Sequence, residues 1–172
     1  TSIIGCAVLT GAGAVLNTAK VRPGQSVAIF GIGGIGVSAL QAAAALRAFP
    51  IVAIDLIDEK LEYALHMGAT HAVNAAKEDA VAKIHEITNG GADFAFDAIG
   101  VPITAQQIFT ATRPGGIGAD NHGGMSVLIG MVQGEVALDM NQMMLSQRTY
   151  RGSFGATRPD QDFPMFVRWY QE

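Results

Sequence analysis

Charge is what this 172-residue sequence has least of. Asp, Glu, Lys and Arg make up 15% of it, against roughly 25% in an average soluble domain. The 11 basic residues are outnumbered by 15 acidic ones, for a net charge of −4. A generic nucleic-acid binder needs a basic surface to displace counterions from phosphates, so that class is excluded and any anionic ligand must be held locally. One cysteine, Cys6, excludes an intrachain disulfide framework and fits a reducing compartment, which makes the cytoplasm the expected location. Long unbroken apolar runs are also lacking. Residues 1 to 19 are uncharged but have no basic residue before Lys20 and are interrupted by Gly5, Gly11 and Gly13. Residues 23 to 46 are broken at their centre by Gly31, Gly33, Gly34 and Gly36. Neither a secretory leader nor a membrane span is expected from such segments.

What remains is 49% apolar, enough for one core and one domain. Strand and helix signals alternate along it. A helix is expected over Ala7 to Lys20, stopped at Pro23-Gly24, then a strand over Ser26 to Phe30 and an alanine-rich helix over Val37 to Ala48. The apolar run Ile51 to Leu56 reads as a strand covered on both faces. Further elements are expected as a helix capped by Asp58 and closed by Gly68, a strand at His71 to Asn74, a helix from Glu78 to Thr88, a strand at Asp93 to Asp97 and a helix at Ile103 to Thr112. Strands at Ser126 to Ile129 and Thr149 to Ser153 follow, and a last helix is capped by Asp160 or Asp162. This alternation implies an α/β fold with a doubly wound parallel sheet and right-handed crossovers. The start at Thr1 inside an apolar run, and the end at Glu172 inside a helical pattern, suggest a piece of a longer protein, with the low charge marking surfaces its other parts cover.

The chemistry begins at Gly31-Ile32-Gly33-Gly34-Ile35-Gly36. A bare GxGxxG among 21 glycines is a weak signal, but this one stands between an expected strand and an expected helix. There Gly31 permits the tight turn, Gly33 lets the backbone approach a pyrophosphate, Gly36 lets helix and strand pack closely, and the amides of the helix's first turn hold the anion. Asp55, 19 residues beyond Gly36, ends the next strand, where a carboxylate accepts hydrogen bonds from the adenosine ribose and repels a 2′-phosphate. NAD is therefore favoured over NADP. A solvated acid at a strand end is the alternative for Asp55, and a helix-surface lysine the alternative for Lys60, which lies within reach of the same ribose.

Gly5-Cys6, Thr10-Gly11, Ala19-Lys20-Val21, Pro23-Gly24, the glycine motif, Asp55 with Lys60, Gly68-Ala69-Thr70 with Val73-Asn74, Asp97-Ala98-Ile99-Gly100 and Ile129-Gly130 fall in one order along the chain. In that order the sequence resembles the cofactor-binding domain of zinc-dependent medium-chain alcohol dehydrogenases, in particular their class III and bacterial formaldehyde dehydrogenase-like branch. The resemblance implies an isolated Rossmann domain with a six-stranded sheet, spanning residues 1 to 172, from a two-domain enzyme. It implies NAD as cofactor, an alcohol or aldehyde as substrate, and metal-assisted hydride transfer in the complete protein.

By the same resemblance Cys6 is a ligand of the catalytic zinc, where a buried small hydrophobe is the alternative reading of a lone cysteine. Thr10 lies near the nicotinamide, and Ile35 packs on its ring. Leu56 follows the ribose-binding acid, and Ile99 and Gly100 form the wall beside the adenosine ribose. Ile129, Gly130 and Met131 hold the carboxamide through their backbone, and Phe154 adds a backbone contact. Family members carry the other zinc ligands, the proton relay and a four-cysteine zinc site in an N-terminal catalytic domain that this sequence does not contain, and their C-terminal basic contact to pyrophosphate is also missing. His66, His71, His85 and His122 show no ligand spacing. The expectation is a chain that binds NAD weakly, holds no catalytic zinc alone and turns over no alcohol.

Two features stand outside that pattern. The glycine-rich segment Arg113 to Gly124, with Asp120, Asn121 and His122, reads as a flexible surface insertion. Glu135 to Asp139 alternates apolar and polar residues and is expected as an edge strand that joins a second copy. A zinc-free quinone or enoyl reductase, a methyltransferase and a nucleotide-binding module without chemistry are the competing readings. Asp55 and Cys6 oppose the first. Asp97-Ala98-Ile99-Gly100, where a polar catalytic motif belongs, opposes the second.

Overall fold

The apolar runs at the centre of the chain's strand set, Val27–Phe30, Ile51–Asp55 and Phe94–Asp97, become strands buried on both faces, as strands covered by helices above and below must be. The computed structural model describes residues 4–116 and 122–171. Its strands are β1 (Val27–Phe30), β2 (Ile51–Asp55), β3 (His71–Asn74), β4 (Phe94–Asp97), β5 (Met125–Leu128) and β6 (Thr149–Gly152). They form one six-stranded sheet in the order β3-β2-β1-β4-β5-β6, with every neighbouring pair parallel. α1 (Leu9–Gly13) precedes them, α2 (Gly34–Ala45), α3 (Asp58–His66), α4 (Ala80–Thr88), α5 (Pro102–Ala111) and α6 (Met140–Ser146) run between them, and α7 (Pro159–Gln171) follows. This is the expected doubly wound Rossmann arrangement. Among the described residues no helix is long and apolar enough to cross a membrane.

Side chains alternate across the sheet and build two cores. Val27, Ile29, Ile51, Ala53, Phe94, Phe96 and Val127 pack with the first helical run, α2, Leu61 and Ala64 of α3, and Phe166 of α7. Ala28, Phe30, Val52, Ile54, Val73 and Ala95 pack with Ala80 and Ile84 of α4 and Ile108 and Ala111 of α5. The sheet order reverses between β1 and β4, whose ends align with Phe30 beside Asp97. A crevice opens at the carboxyl ends of the strands at such a switch point.

Several expectations are corrected. The first helical run begins at Ile4, with π-wound turns Ile4–Val8 and Ala14–Ala19 flanking α1. α2 starts at Gly34, three residues earlier than expected, because the glycine turn itself opens the helix. Asp58 lies inside α3 and is not its cap; its carboxylate takes Asn74 Nδ2 at 2.6 Å and Lys77 Nζ at 2.6 Å instead. Asp160 and Asp162 lie within the first turn of α7, which Pro159 opens, and buried Asp162 accepts from Asn17 Nδ2. Glu135 to Asp139 forms no strand. The Asp139 carboxylate accepts the amides of Asn141 and Gln142 and starts α6, an element the residue pattern did not reveal, so the edges of the sheet are β3 and β6.

Of the segment from Arg113 to Gly124, residues 117 to 121, including Asp120 and Asn121, lie outside the described residues. The rest is tied down. Arg113 Nη1 donates to the His122 carbonyl, and Arg113 Nε donates to Asp93 Oδ1 at 2.6 Å. The other carboxylate oxygen of Asp93 accepts from the amide and hydroxyl of Ser26, both at 2.9 Å. Burial pushes the Asp93 carboxyl up, but the bonds from Arg113 and Ser26 outweigh it and hold the group below its ordinary value. A depressed carboxyl contributes stability above its unfolded pKa and loses it as the pH falls through the folded one. Asp93→Asn is therefore expected to cost about 1 kcal/mol at pH 7, and the gap to wild type should narrow as the pH falls below about 4. Thermal midpoints measured from pH 3 to 7 check this; a gap that does not narrow toward pH 3 contradicts it.

Candidate functional site

The crevice is lined by the residues that follow the strands. Gly31 ends β1 at φ +91°, a conformation that favours glycine, and its amide donates to Ile54 O at 2.8 Å, which ties the turn to β2. A Cβ on Gly36 would overlap the Gly31 carbonyl oxygen and stand 2.9 Å from its carbon, so the helix can approach the strand only as glycine. At Gly33 the opposite holds, since a Cβ there would meet nothing within 4 Å. Gly33 caps α2 without any side-chain hydrogen bond, and the first intrahelical bond runs from Val37 N–H to Gly33 O at 2.9 Å. The amides of Gly34, Ile35 and Gly36 therefore have no partner within the helix and open beside free space, where a helix N-terminus attracts an anion.

Asp55 closes β2 at 9% exposure. Its Oδ2 accepts the Ile32 amide at 2.8 Å, and its Oδ1 accepts those of Leu56 and Ile57 at 2.8 and 3.2 Å. Lys60 Nζ lies 3.6 Å from Oδ2. The carboxylate thus fixes the glycine turn while keeping its charge at the mouth of the crevice, beside exposed Leu56. Asp55 is therefore a buried acceptor of three amides and not a solvated acid, and Lys60 is its ion-pair partner.

Beyond β4, Ile99 is half-exposed and packs against Gly31, and Gly100 adopts φ +84°. Beyond β5, Ile129 and Gly130 are half-buried, whereas Met131 is 92% exposed. Phe154, beyond β6, is 90% exposed. Two large apolar side chains thus stand free beyond the ends of β5 and β6. The first helical run reaches the same place, because glycines let it press close: Gly11 against the main chain of α2, and Thr10 against Gly155. Ala7 lies beside Gly34, and half-buried Ile35 stands at the start of α2. Cys6, exposed, sits one turn ahead of Thr10.

Among the described residues no group of three His, Cys, Asp or Glu side chains converges as a metal site. His85 bonds the Thr110 carbonyl, His71 bonds Thr70, and His66 and His122 are exposed. Residue patterns missed Asp97, which is fully buried at the end of β4 between the two loops just described. The signal available was an acid closing an otherwise apolar strand. Tyr150, on β6, is pushed up to about 12 by burial and by the Asp97 charge.

The family model described as zinc-binding dehydrogenase matches residues 34–172. S-(hydroxymethyl)glutathione dehydrogenase of Paracoccus denitrificans is 35% identical over 98% of this chain and 46% of its own length. Alcohol dehydrogenase 1 of Pisum sativum is 34% identical over 99% of this chain and 44% of its own. Among solved structures, benzyl alcohol dehydrogenase from Acinetobacter calcoaceticus superposes with a TM-score of 0.89 at 36% identity, covering 98% of this chain and 45% of that one. The chain thus spans less than half the length of the relatives it matches.

Proposed function

The chain belongs to the zinc-binding dehydrogenase family, and from that premise we propose that it is the NAD-binding domain of an alcohol dehydrogenase whose catalytic domain lies outside these 172 residues. The observation that carries the reading is the open space at Gly33 beside the unpartnered amides of α2, with the Asp55 carboxylate one strand away. A pyrophosphate fits the first and a ribose diol the second. Bound NAD supplies the hydride acceptor, and the protein supplies orientation and shelter from water.

In this reading the turn of Gly31, Gly33, Gly34 and Gly36 holds the pyrophosphate end, Ile35 packs on the nicotinamide ring, and Asp55, Leu56 and Lys60 hold the adenosine ribose. Ile99 and Gly100 wall the ribose. Ile129, Gly130, Met131 and Phe154 face the nicotinamide, with Thr10 beside it. Cys6 offers one thiolate, and a single thiolate does not make a zinc site; it serves as a ligand of the catalytic zinc only with donors from outside the chain. The substrate, an alcohol or aldehyde, is met at that shared boundary.

Titration calorimetry with NADH, NADPH and S-adenosylmethionine tests the assignment. NADH is expected to bind at least about tenfold more tightly than NADPH, roughly 1.4 kcal/mol, because a 2′-phosphate meets the Asp55 charge. Tight binding of S-adenosylmethionine, or of no nucleotide at all, would falsify it.

A further inference from the structure

Asp97 has no role in the site assigned above, yet among the described residues it is the most deeply buried acid, with no exposed surface. Its Oδ1 accepts the amides of Ile99 and Gly100, at 2.8 and 3.1 Å. Its main-chain carbonyl accepts those of Ile129 and Gly130, at 3.0 and 2.9 Å. One residue therefore satisfies four amides, two from each of the loops that follow β4 and β5. Those loops also touch directly: a Cβ on Gly100 would stand 2.6 Å from the Met131 amide nitrogen and 2.7 Å from the Gly130 carbonyl carbon. With no room for side chains between them, movement of one loop is passed to the other through the main chain. Among the described residues, Oδ2 of Asp97 is buried without any hydrogen-bond partner.

We propose that Asp97 is a positioning residue, a clasp whose carboxylate and adjoining carbonyl hold the Ile99–Gly100 and Ile129–Gly130 loops in one fixed relation beside the cofactor crevice. The proposal rests on the NAD reading, because it is the cofactor that spans both loops. An unpaired buried amide is costly, so removing the acceptor lets the first loop leave its place to find water, and the second follows. Since Oδ2 bonds nothing, the charge itself is dispensable and one carbonyl-type oxygen at the Oδ1 position suffices. Asparagine supplies that oxygen at the same volume.

The test is NADH binding to the chain and to its Asp97→Asn and Asp97→Leu variants, each below its own thermal midpoint. Asp97→Asn is expected within about twofold of wild type, and Asp97→Leu, which keeps the branched shape but accepts nothing, weaker by about tenfold or more. Rescue by asparagine separates positioning from a general loss of packing. Leucine binding as well as wild type overturns the proposal, and so does asparagine failing as badly as leucine, which would give Oδ2 a partner. If the leucine variant does not fold, amide hydrogen exchange of the wild-type chain decides. The amides of Ile99, Gly100, Ile129 and Gly130 are expected to slow together on addition of NADH, and independent responses of the two pairs overturn the clasp. Wild-type chain that binds no NADH removes the cofactor reading and the positioning role with it, whereas NADH binding indifferent to Asp97 removes only the latter.

Discussion

Replacing Gly36 with alanine is expected to abolish measurable NADH binding and to lower the thermal midpoint by roughly 10 °C. The new methyl would overlap the Gly31 carbonyl oxygen, lie 2.9 Å from the Gly31 carbonyl carbon and 3.6 Å from Cγ2 of Ile29. Two of those three atoms are main chain, and the turn they belong to is held to β2 by the Gly31 amide and to Asp55 by the Ile32 amide. Nothing on that side can yield, so α2 must lift off the sheet. Overpacking of this kind costs about 3 kcal/mol, and in a domain of this size each kcal/mol is worth about 2–4 °C. Gly33→Ala makes the contrast. Its methyl points into open space and its backbone is extended, so the fold should be untouched. The same space is where the pyrophosphate is placed, so NADH binding should fall steeply at an unchanged midpoint. Differential scanning fluorimetry and NADH titration on the pair separate the two roles. A Gly33→Ala chain that binds NADH normally removes the phosphate from this turn.

Asp55→Ala is expected to be the other severe substitution, with a loss of about 3 kcal/mol in urea unfolding and of about a hundredfold in NADH affinity. Three amides, of Ile32, Leu56 and Ile57, lose their acceptor at once, and they belong to the turn after β1 and the turn after β2. Lys60→Met should change stability little, because an ion pair at 3.6 Å with a half-exposed lysine is screened by water. Two effects of Asp55 are thereby distinguishable. Asp55→Asn keeps an acceptor for part of the amide set but loses the charge, so it should recover much of the stability while narrowing the preference for NADH over NADPH. If the preference is as wide in asparagine as in aspartate, the carboxylate does not read the ribose.

Much of the site was legible because its chemistry is local. The spacing of Gly31, Gly33 and Gly36 states where a turn meets a helix, and Asp55 declares itself by closing an apolar strand. The structure found these in place and added what spacing does not carry: that Asp55 bonds the glycine turn itself, and that Gly31 packs on Ile99. Errors fell where a local signal has two solutions. The alternation before Asp139 predicts the end of an edge strand, whereas its carboxylate caps the helix after it. Asp58 looked like a cap and instead reaches across to Asn74 and Lys77, partners 16 and 19 residues away. Asp97 is expected to close a strand and does, but its burial between two strand ends is visible only with β5 beside β4.

By itself the sequence determined the α/β class, the parallel sheet and the position of a glycine turn at a helix start, because apolar periodicity and glycine placement are properties of a few consecutive residues. Only the tertiary structure decided the strand order, the faces on which the helices lie, and the gathering of Gly31, Asp55, Ile99, Ile129 and Phe154 along one edge of the sheet. Those residues are separated by tens of positions. Their meeting is fixed by which strands pair, and pairing is settled by the burial of whole faces rather than by any single motif.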